Sequence, residues 1–306
     1  MKWQLIAPHT EAQWQAYYQL RYQVLRAPWL QPPGSERDEL EDVAVHRMIQ
    51  SDSGEALAVG RLHLLDESTA QVRYMAVSEQ ARGQGLGQRV LQALEQQALA
   101  LGAKRLILNA RDSATGFYQQ AGYQYGAMQA ALFGIPHQQM WKQICFDRDS
   151  SILQAWCRQL VALWHQTIPL SAFMQLDIEK FDGSTLYCQA ALAPNQNLHH
   201  TMFAGSIYAM ATLTGWGLVH LQLQELGLDG DIVLADGRIR YLAPLKSQPR
   251  ARVSLLQVRG SLQGLAQGKK VRQSLSVELL DGEQVVAEFE GRFVVLPKAA
   301  EVSDAG

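Results

Sequence analysis

Cysteine is scarce in this chain. Its three occurrences among 306 residues, Cys145, Cys157 and Cys188, are odd in number and lack metal-ligand spacing. That pattern argues against a disulfide framework or a zinc site and predicts free thiols in a reducing, cytoplasmic setting, with no metal. An excess of either charge is also missing, since 27 Lys and Arg stand against 29 Asp and Glu. Without a basic field, the phosphate-neutralising footprint of a nucleic-acid partner is absent. Long hydrophobic runs are few. Met1-Lys2-Trp3-Gln4-Leu5-Ile6 is too short for a secretory signal and lacks its cleavage pattern. Leu198 to Gln224 carries no Asp, Glu, Lys or Arg, but Gln, Thr, Ser and three His interrupt it, so a buried helix is expected and no membrane span.

What is present is ordinary globular material: 47% hydrophobic and 18% charged residues. A length of 306 residues exceeds what one core usually fills, so two domains of about 150 residues each are expected. The first half alternates strand and helix patterns. Met1 to Ala7 reads as a strand and Thr10 to Leu25 as a helix with a Thr cap and Glu11 in its first turn. Val43 to Ser51, Glu55 to Leu65 and Ala70 to Val77 read as an antiparallel meander broken by turn residues. Gly85 to Ala100 follows as a helix with Val90, Leu91, Leu94, Ala98 and Leu101 on one face, and Gly102 as its stop. Then come a strand at Leu106 to Leu108, a short helix at Ala114 to Gln120 and a strand or hairpin from Tyr123 to Ile144.

A charged cluster at Asp147, Arg148 and Asp149 marks the expected boundary, followed by a helix capped by Ser150 or Ser151. The domains predicted are 1–148 and 149–298, with a flexible tail at 299–306. In the second half, Phe173 to Phe181 and Thr185 to Leu192 read as a hairpin and Ala204 to Leu226 as one long apolar helix. Four further strands are expected at Ile232 to Leu242, Ala251 to Val258, Lys270 to Leu280 and Gln284 to Leu296. The fold class is α/β (α+β), one unit of each pattern.

The sharpest motif is Arg82-Gly83-Gln84-Gly85-Leu86-Gly87, between the strand ending at Val77 and the next helix. Glycines let the backbone turn tightly against an anion, while the first turn of a helix offers unpaired N–H groups and partial positive charge. A pyrophosphate fits such a seat. A dinucleotide loop of the Rossmann type is the competing reading, and the antiparallel meander before the loop disfavours it. The run Arg73-Tyr74-Met75-Ala76-Val77, this glycine loop, Leu108-Asn109-Ala110-Arg111 and Phe117-Tyr118-Gln119-Gln120-Ala121-Gly122-Tyr123 together resemble the GNAT acetyltransferase family across the first half.

That resemblance implies the acyl-CoA N-acyltransferase fold and acetyl-CoA as co-substrate. It implies that Arg82, Gly83, Gln84, Gly85 and Gly87 cradle the pyrophosphate, that Met75 and Val77 pair with the pantetheine and acetyl carbonyl, and that Asn109 holds the pantetheine arm. Tyr118 would protonate the departing thiolate. Transfer from a thioester to an amine needs a polarised carbonyl, a neutral amine and a protonated leaving group. The base is open among Glu39, Glu41, Asp42 and His46, with Glu41 foremost, because acidic groups there would also attract a cationic amine. Trp29, Pro32 and Pro33 are candidates to wall the acceptor pocket.

In the second half, Thr201-Met202-Phe203-Ala204-Gly205-Ser206, Leu213-Thr214-Gly215-Trp216-Gly217 and Ile239-Arg240-Tyr241 resemble hotdog-fold thioesterases, and the whole chain resembles two-domain YiiD-type proteins that join a GNAT domain to such a domain. The likeness implies a hotdog fold, homodimers with Arg240 and Tyr241 near the seam, and an acyl-thioester substrate, with an acyl carrier protein as a further partner. The free N–H groups at the start of the long helix suit a thioester carbonyl. Glu225 lies too far along that helix to activate water at its mouth. Water activation falls to His199 or His200, positioned by Asn195, or to Asp177 or Asp236. The alternative is a non-catalytic acyl-binding or dimerisation module.

Overall fold

The computed structural model describes residues 2–132 and 134–298. The chain divides into two compact units, Met1–Cys145 and Phe146–Gly306, so the division falls a few residues before the expected Asp149. The expected tail at 299–306 lies outside the described residues.

The first unit runs β1 (Trp3–Ile6), α1 (Glu11–Leu25), β2 (Val45–Ser51), β3 (Ala56–Leu64), β4 (Thr69–Val77), α2 (Leu86–Ala100), β5 (Arg105–Arg111), α3 (Thr115–Gln120), β6 (Gln124–Leu132) and β7 (Ile135–Gln143). Its seven strands form one sheet in the order β1-β2-β3-β4-β5-β7-β6. α1 starts where a capping box closes: Thr10 accepts from the Gln13 N–H, and the Gln13 side chain accepts from the Thr10 N–H. Tyr17 and Leu20 of α1 then pack with Met48, Val59 and Ala76 of the meander. On α2, Val90, Leu91, Leu94 and Ala98 are buried as the spacing predicts, whereas Leu101 is exposed because it stands at the C-cap, beyond the packed face.

What positions the site is an interruption in this sheet. β4 and β5 pair in parallel only at Thr69↔Arg105, Ala70↔Leu106 and Gln71↔Ile107, although the strands continue to Val77 and Arg111. Past these pairs they part. Within β4, Tyr74 has a φ of +55°, and the ladder with β3 jumps from Arg61↔Arg73 to Val59↔Ala76, so Tyr74 and Met75 form a bulge opposite Gly60. A bulge bends its strand and increases local twist, which keeps the parted edge open.

The second unit runs α4 (Ser150–Thr167), α5 (Pro169–Phe173), β8 (Asp177–Phe181), β9 (Thr185–Gln189), α6 (Ala204–Leu226), β10 (Asp231–Tyr241), β11 (Pro249–Ser254), β12 (Val271–Asp281) and β13 (Gln284–Leu296). The six strands form a second sheet, β10-β13-β12-β11-β9-β8, antiparallel throughout. The core joins α6, through Ile207, Met210, Ala211, Leu218 and Leu221, to Val277, Phe289 and Phe293 of the sheet. The fully buried Trp164 of α4 lies so close to Gly217 of α6 that a Cβ there would meet its ring at 2.7 Å. α6 is therefore free of charge as far as Gln224 because protein covers much of it, and no described helix is long and apolar enough to cross a membrane.

Three local expectations are corrected. Asp149, not Ser150 or Ser151, occupies the cap position of α4. The strand expected from Phe173 begins only at Asp177, because Pro169 opens the one-turn helix α5, which ends just before Gln175 at φ +53°. β11 stops at Ser254, whose hydroxyl accepts from the Leu256 N–H and starts a tight helical turn through Gln257.

Candidate functional site

The parted strands enclose a cleft of about 510 Å³ lined by Met75, Val77, Arg82, Asn109 and Tyr118. Elements distant in sequence thus bring together five of the residues singled out above. At the mouth, Gly83 and Gly85 both have φ +75°, a conformation costly for any side chain, and Gly85 is the N-cap of α2. A Cβ on either would meet nothing within 4 Å, so the backbone is open to a ligand. Gly87 serves differently. A Cβ there would stand 3.0 Å from Val77 Cγ2, so its absence lets the first turn of α2 rest on the end of β4. Gln84 closes the loop by donating to the Gln80 carbonyl at 2.9 Å.

Tyr118 sits on α3, only 8% exposed, edge-on to Phe117 and Tyr123. Burial raises its hydroxyl above the ordinary 10.0, while the charge of Arg111 pulls the other way. The phenol is a proton carrier, not a phenolate.

The acidic residues considered as bases lie elsewhere. Glu41 accepts from Arg21 at 2.9 Å, Arg61 at 2.7 Å and the Tyr18 hydroxyl at 3.2 Å. Burial alone would raise its carboxyl, but the two guanidiniums hold it below its ordinary value. His46 is buried between the Tyr17 hydroxyl at 3.1 Å and the Glu41 carbonyl at 2.9 Å. Glu39, Glu41, Asp42 and His46 all stay off the lining of the cleft. The imidazole that does line it is that of His137, on β7. Its Nδ1 lies 2.9 Å from the Ile135 carbonyl, which can only accept, so Nδ1 carries the hydrogen and Nε2 of the neutral ring is free to take a proton. Sequence periodicity placed His137 on a strand without a role. Its partner two residues upstream was the one local signal.

Arginines were also missed as a group. Arg26, Arg73 and Arg111 line the cleft beside Arg82, and no Asp or Glu does so among the described residues. Trp29 is not a bare wall, since it stacks on the Arg111 guanidinium at 3.9 Å.

In the second unit, α6 opens at an exposed Phe203-Ala204-Gly205. His199 and His200 are exposed beside it, His200 at φ +58°. Asn195 does not position them. It is buried, and its amide donates to the carbonyls of Met174 at 2.9 Å and Ala191 at 2.7 Å. Asn197 organises that loop instead, accepting from the His199 N–H at 2.8 Å and donating to Thr201 Oγ1 at 3.0 Å. Asp177 lines a separate hollow with Gln175, Gln189 and Ser247, whereas Asp236 lies on another surface 3.8 Å from Arg292. Glu225 pairs with Arg148 at 2.8 Å.

Two stretches of the chain match different families. Residues 13–123 match the model of the acetyltransferase (GNAT) family, and residues 157–297 match the model described as "Putative thioesterase (yiiD_Cterm)". A "putative thioesterase" from Shewanella oneidensis is 48% identical, the match covering 47% of this chain and 99% of that one, with a TM-score of 0.46. An acyl-CoA N-acyltransferase from Pseudomonas aeruginosa is 25% identical over 46% of this chain and 97% of that one, with a TM-score of 0.39. The chain belongs to the GNAT acetyltransferase family through its first unit and to the yiiD C-terminal thioesterase-type family through its second.

Proposed function

We propose that the first unit transfers an acetyl group from acetyl-CoA to an amine. The observation that carries this reading is the cleft where β4 and β5 part, which gathers Met75, Val77, Arg82, Asn109 and Tyr118 below the glycine-lined start of α2. The loop of Gly83 and Gly85 with Arg82 suits the coenzyme's pyrophosphate by backbone N–H groups, helix dipole and charge together. The edge of β4 beyond Gln71 has no ladder partner on β5, so its amide groups are free to hold the pantetheine and polarise the thioester carbonyl.

His137 Nε2 accepts the proton of the attacking amine, and Tyr118 gives its hydroxyl proton to the sulfur as the C–S bond breaks. The buried phenol is a weaker acid than a thiol of ordinary pKa near ~8.5. Arg111, whose charge favours the phenolate, offsets part of that gap. Calorimetric titration with acetyl-CoA followed by a thiol-release assay over a panel of amines tests the reading. Absence of acetyl-CoA binding would sink it.

For the second unit, we read an acyl-thioester-binding module of hotdog type that pairs two copies of the chain. Three observations favour this over hydrolysis within one chain: Asn195 is occupied by main-chain carbonyls, both histidines are exposed, and Glu225 is engaged by Arg148. The helix start is ringed by uncovered apolar groups, Leu198 at 83% and Phe203 at 55% exposed, and Tyr241 of the edge strand β10 donates to the Ala204 carbonyl at 3.0 Å. A second copy seated there would cover this rim and supply further groups to the mouth. Incubation with acyl-CoA and acyl-carrier-protein thioesters separates the readings, since free thiol appears only if the domain hydrolyses them.

A further inference from the structure

The wall of the acetyl-transfer cleft facing the loop after α1 carries more positive charge than the fold itself neutralises. Arg26 donates to the carbonyls of Ser35 at 2.8 Å and Leu25 at 3.0 Å, and Arg111 donates to Leu25 at 3.2 Å. Arg73 pairs with Asp38 at 3.0 Å. Asp38 is shared, because Arg61 also holds it in two bonds and the Tyr74 hydroxyl donates to it at 3.1 Å. Glu41 is taken by Arg21 and Arg61. Two carboxylates, Asp38 and Glu41, therefore serve Arg21, Arg61 and Arg73, and Arg111 forms no ion pair among the described residues.

Arg26 and Arg111 are each lowered from their ordinary pKa chiefly by burial; the Tyr74 side chain pulls Arg26 back up against Arg21 and Arg73, and Arg26 adds to the lowering of Arg111. Arg82 is exposed at the start of the glycine loop. Arg111 is thus a half-buried guanidinium with no ion pair among the described residues, in a cleft lined by arginines and, among the described residues, by no carboxylate, and such a cleft is suited to an anion.

We propose that the acceptor amine carries a small anionic group, carboxylate or phosphate, and that Arg111, with Arg26 and Arg73, is its seat. This rests on the acetyl-transfer reading above. It also reverses the expectation that acidic residues draw in a cationic acceptor, since Glu41 is held by Arg21 and Arg61 and neither Glu39 nor Asp42 lines the cleft. Arg111 stacks on Trp29 and exerts its charge on Tyr118, so an anion held there is set beside the proposed acid. The fork of a guanidinium matches a carboxylate or phosphate in paired hydrogen bonds.

The test uses the full chain, acetyl-CoA and matched amines that differ only in the anion: amino acids, their amides, the corresponding decarboxylated amines, and aminoalkyl phosphates. The anionic members are expected to exceed their neutral counterparts by roughly thirtyfold or more in kcat/KM, with the preference weakened by salt. The carboxylate and phosphate arms show which anion is preferred. In Arg111→Gln the preference should collapse while acetyl-CoA affinity stays within about threefold of the wild type. Arg111→Lys, which keeps the charge and loses the fork, should retain part of it if the glutamine variant fails to fold.

Equal or better turnover of neutral amines overturns the proposal, as does absence of turnover with every anionic amine when acetyl-CoA binds. A large fall in acetyl-CoA affinity in a folded Arg111 variant also overturns it, by assigning that arginine to the nucleotide. Failure of acetyl-CoA to bind at all instead overturns the acetyl-transfer reading beneath it.

Discussion

At Tyr118, burial and charge act in opposite directions on one hydroxyl. Burial keeps the proton on, and Arg111 eases its departure. Replacing Tyr118 with Phe removes the acid without opening a cavity, so turnover should fall about 10²- to 10⁴-fold with the acetyl-CoA Kd unchanged by calorimetry. His137→Gln removes the imidazole from the cleft lining, so turnover should fall about 10²- to 10⁴-fold with the acetyl-CoA Kd unchanged. Turnover equal to that of the wild type would exclude His137 as the base. The thiols are quieter. Burial pushes Cys157 up to about 11 and Cys188 up to about 12, so both should resist maleimide until the chain is unfolded.

Among the elements, the loop between α1 and β2 is held by charge instead of by regular structure. Asp38 and Glu41 tie it to Arg21 of α1 and Arg61 of β3, both fully buried. Burial by itself would raise both carboxyls, yet the arginines hold them below their ordinary values of 3.8 and 4.5. A carboxyl depressed in the folded state contributes stability above its unfolded pKa and loses it as pH falls through the folded one. The first unit should therefore weaken progressively below about pH 4.5 in acid titrations followed by circular dichroism. Asp38→Asn should flatten that dependence and cost roughly 3 kcal/mol at neutral pH, because it leaves Arg61 buried and underpaired. In the second unit, Trp164→Ala should cost about 3–5 kcal/mol in urea unfolding, since the ring fills the space against Gly217.

Across the whole molecule, each unit has a core of its own, one around Tyr17 and Met48 and one around α6 and its sheet. Residues 1–145 and 146–298 expressed separately should each give a cooperative unfolding transition, and a molten fragment would count against independent domains. The exposed Leu198 and Phe203 with the free edge of β10 predict a dimer through the second unit. Light scattering should find two copies for the full chain and for 146–298, and one for 1–145. Phe203→Asp should shift the dimers toward monomer.

Local chemistry was legible in the order of residues. The Thr10 cap, the span of α6 and the glycines before α2 follow from backbone sterics and side-chain reach within a few positions. The glycine loop belonged to this class, because its conformation depends on Gly83 and Gly85 themselves. The proposed base and the charge balance did not. His137 lines the same cleft as Tyr118 only because β7 slots between β5 and β6, and Glu41 is withdrawn only because Arg21 and Arg61 arrive from other elements. Sequence alone determined which residues could turn the backbone and cap a helix. Tertiary structure decided which charges face one another, because Coulomb interactions depend on separations through space that sequence distance does not encode.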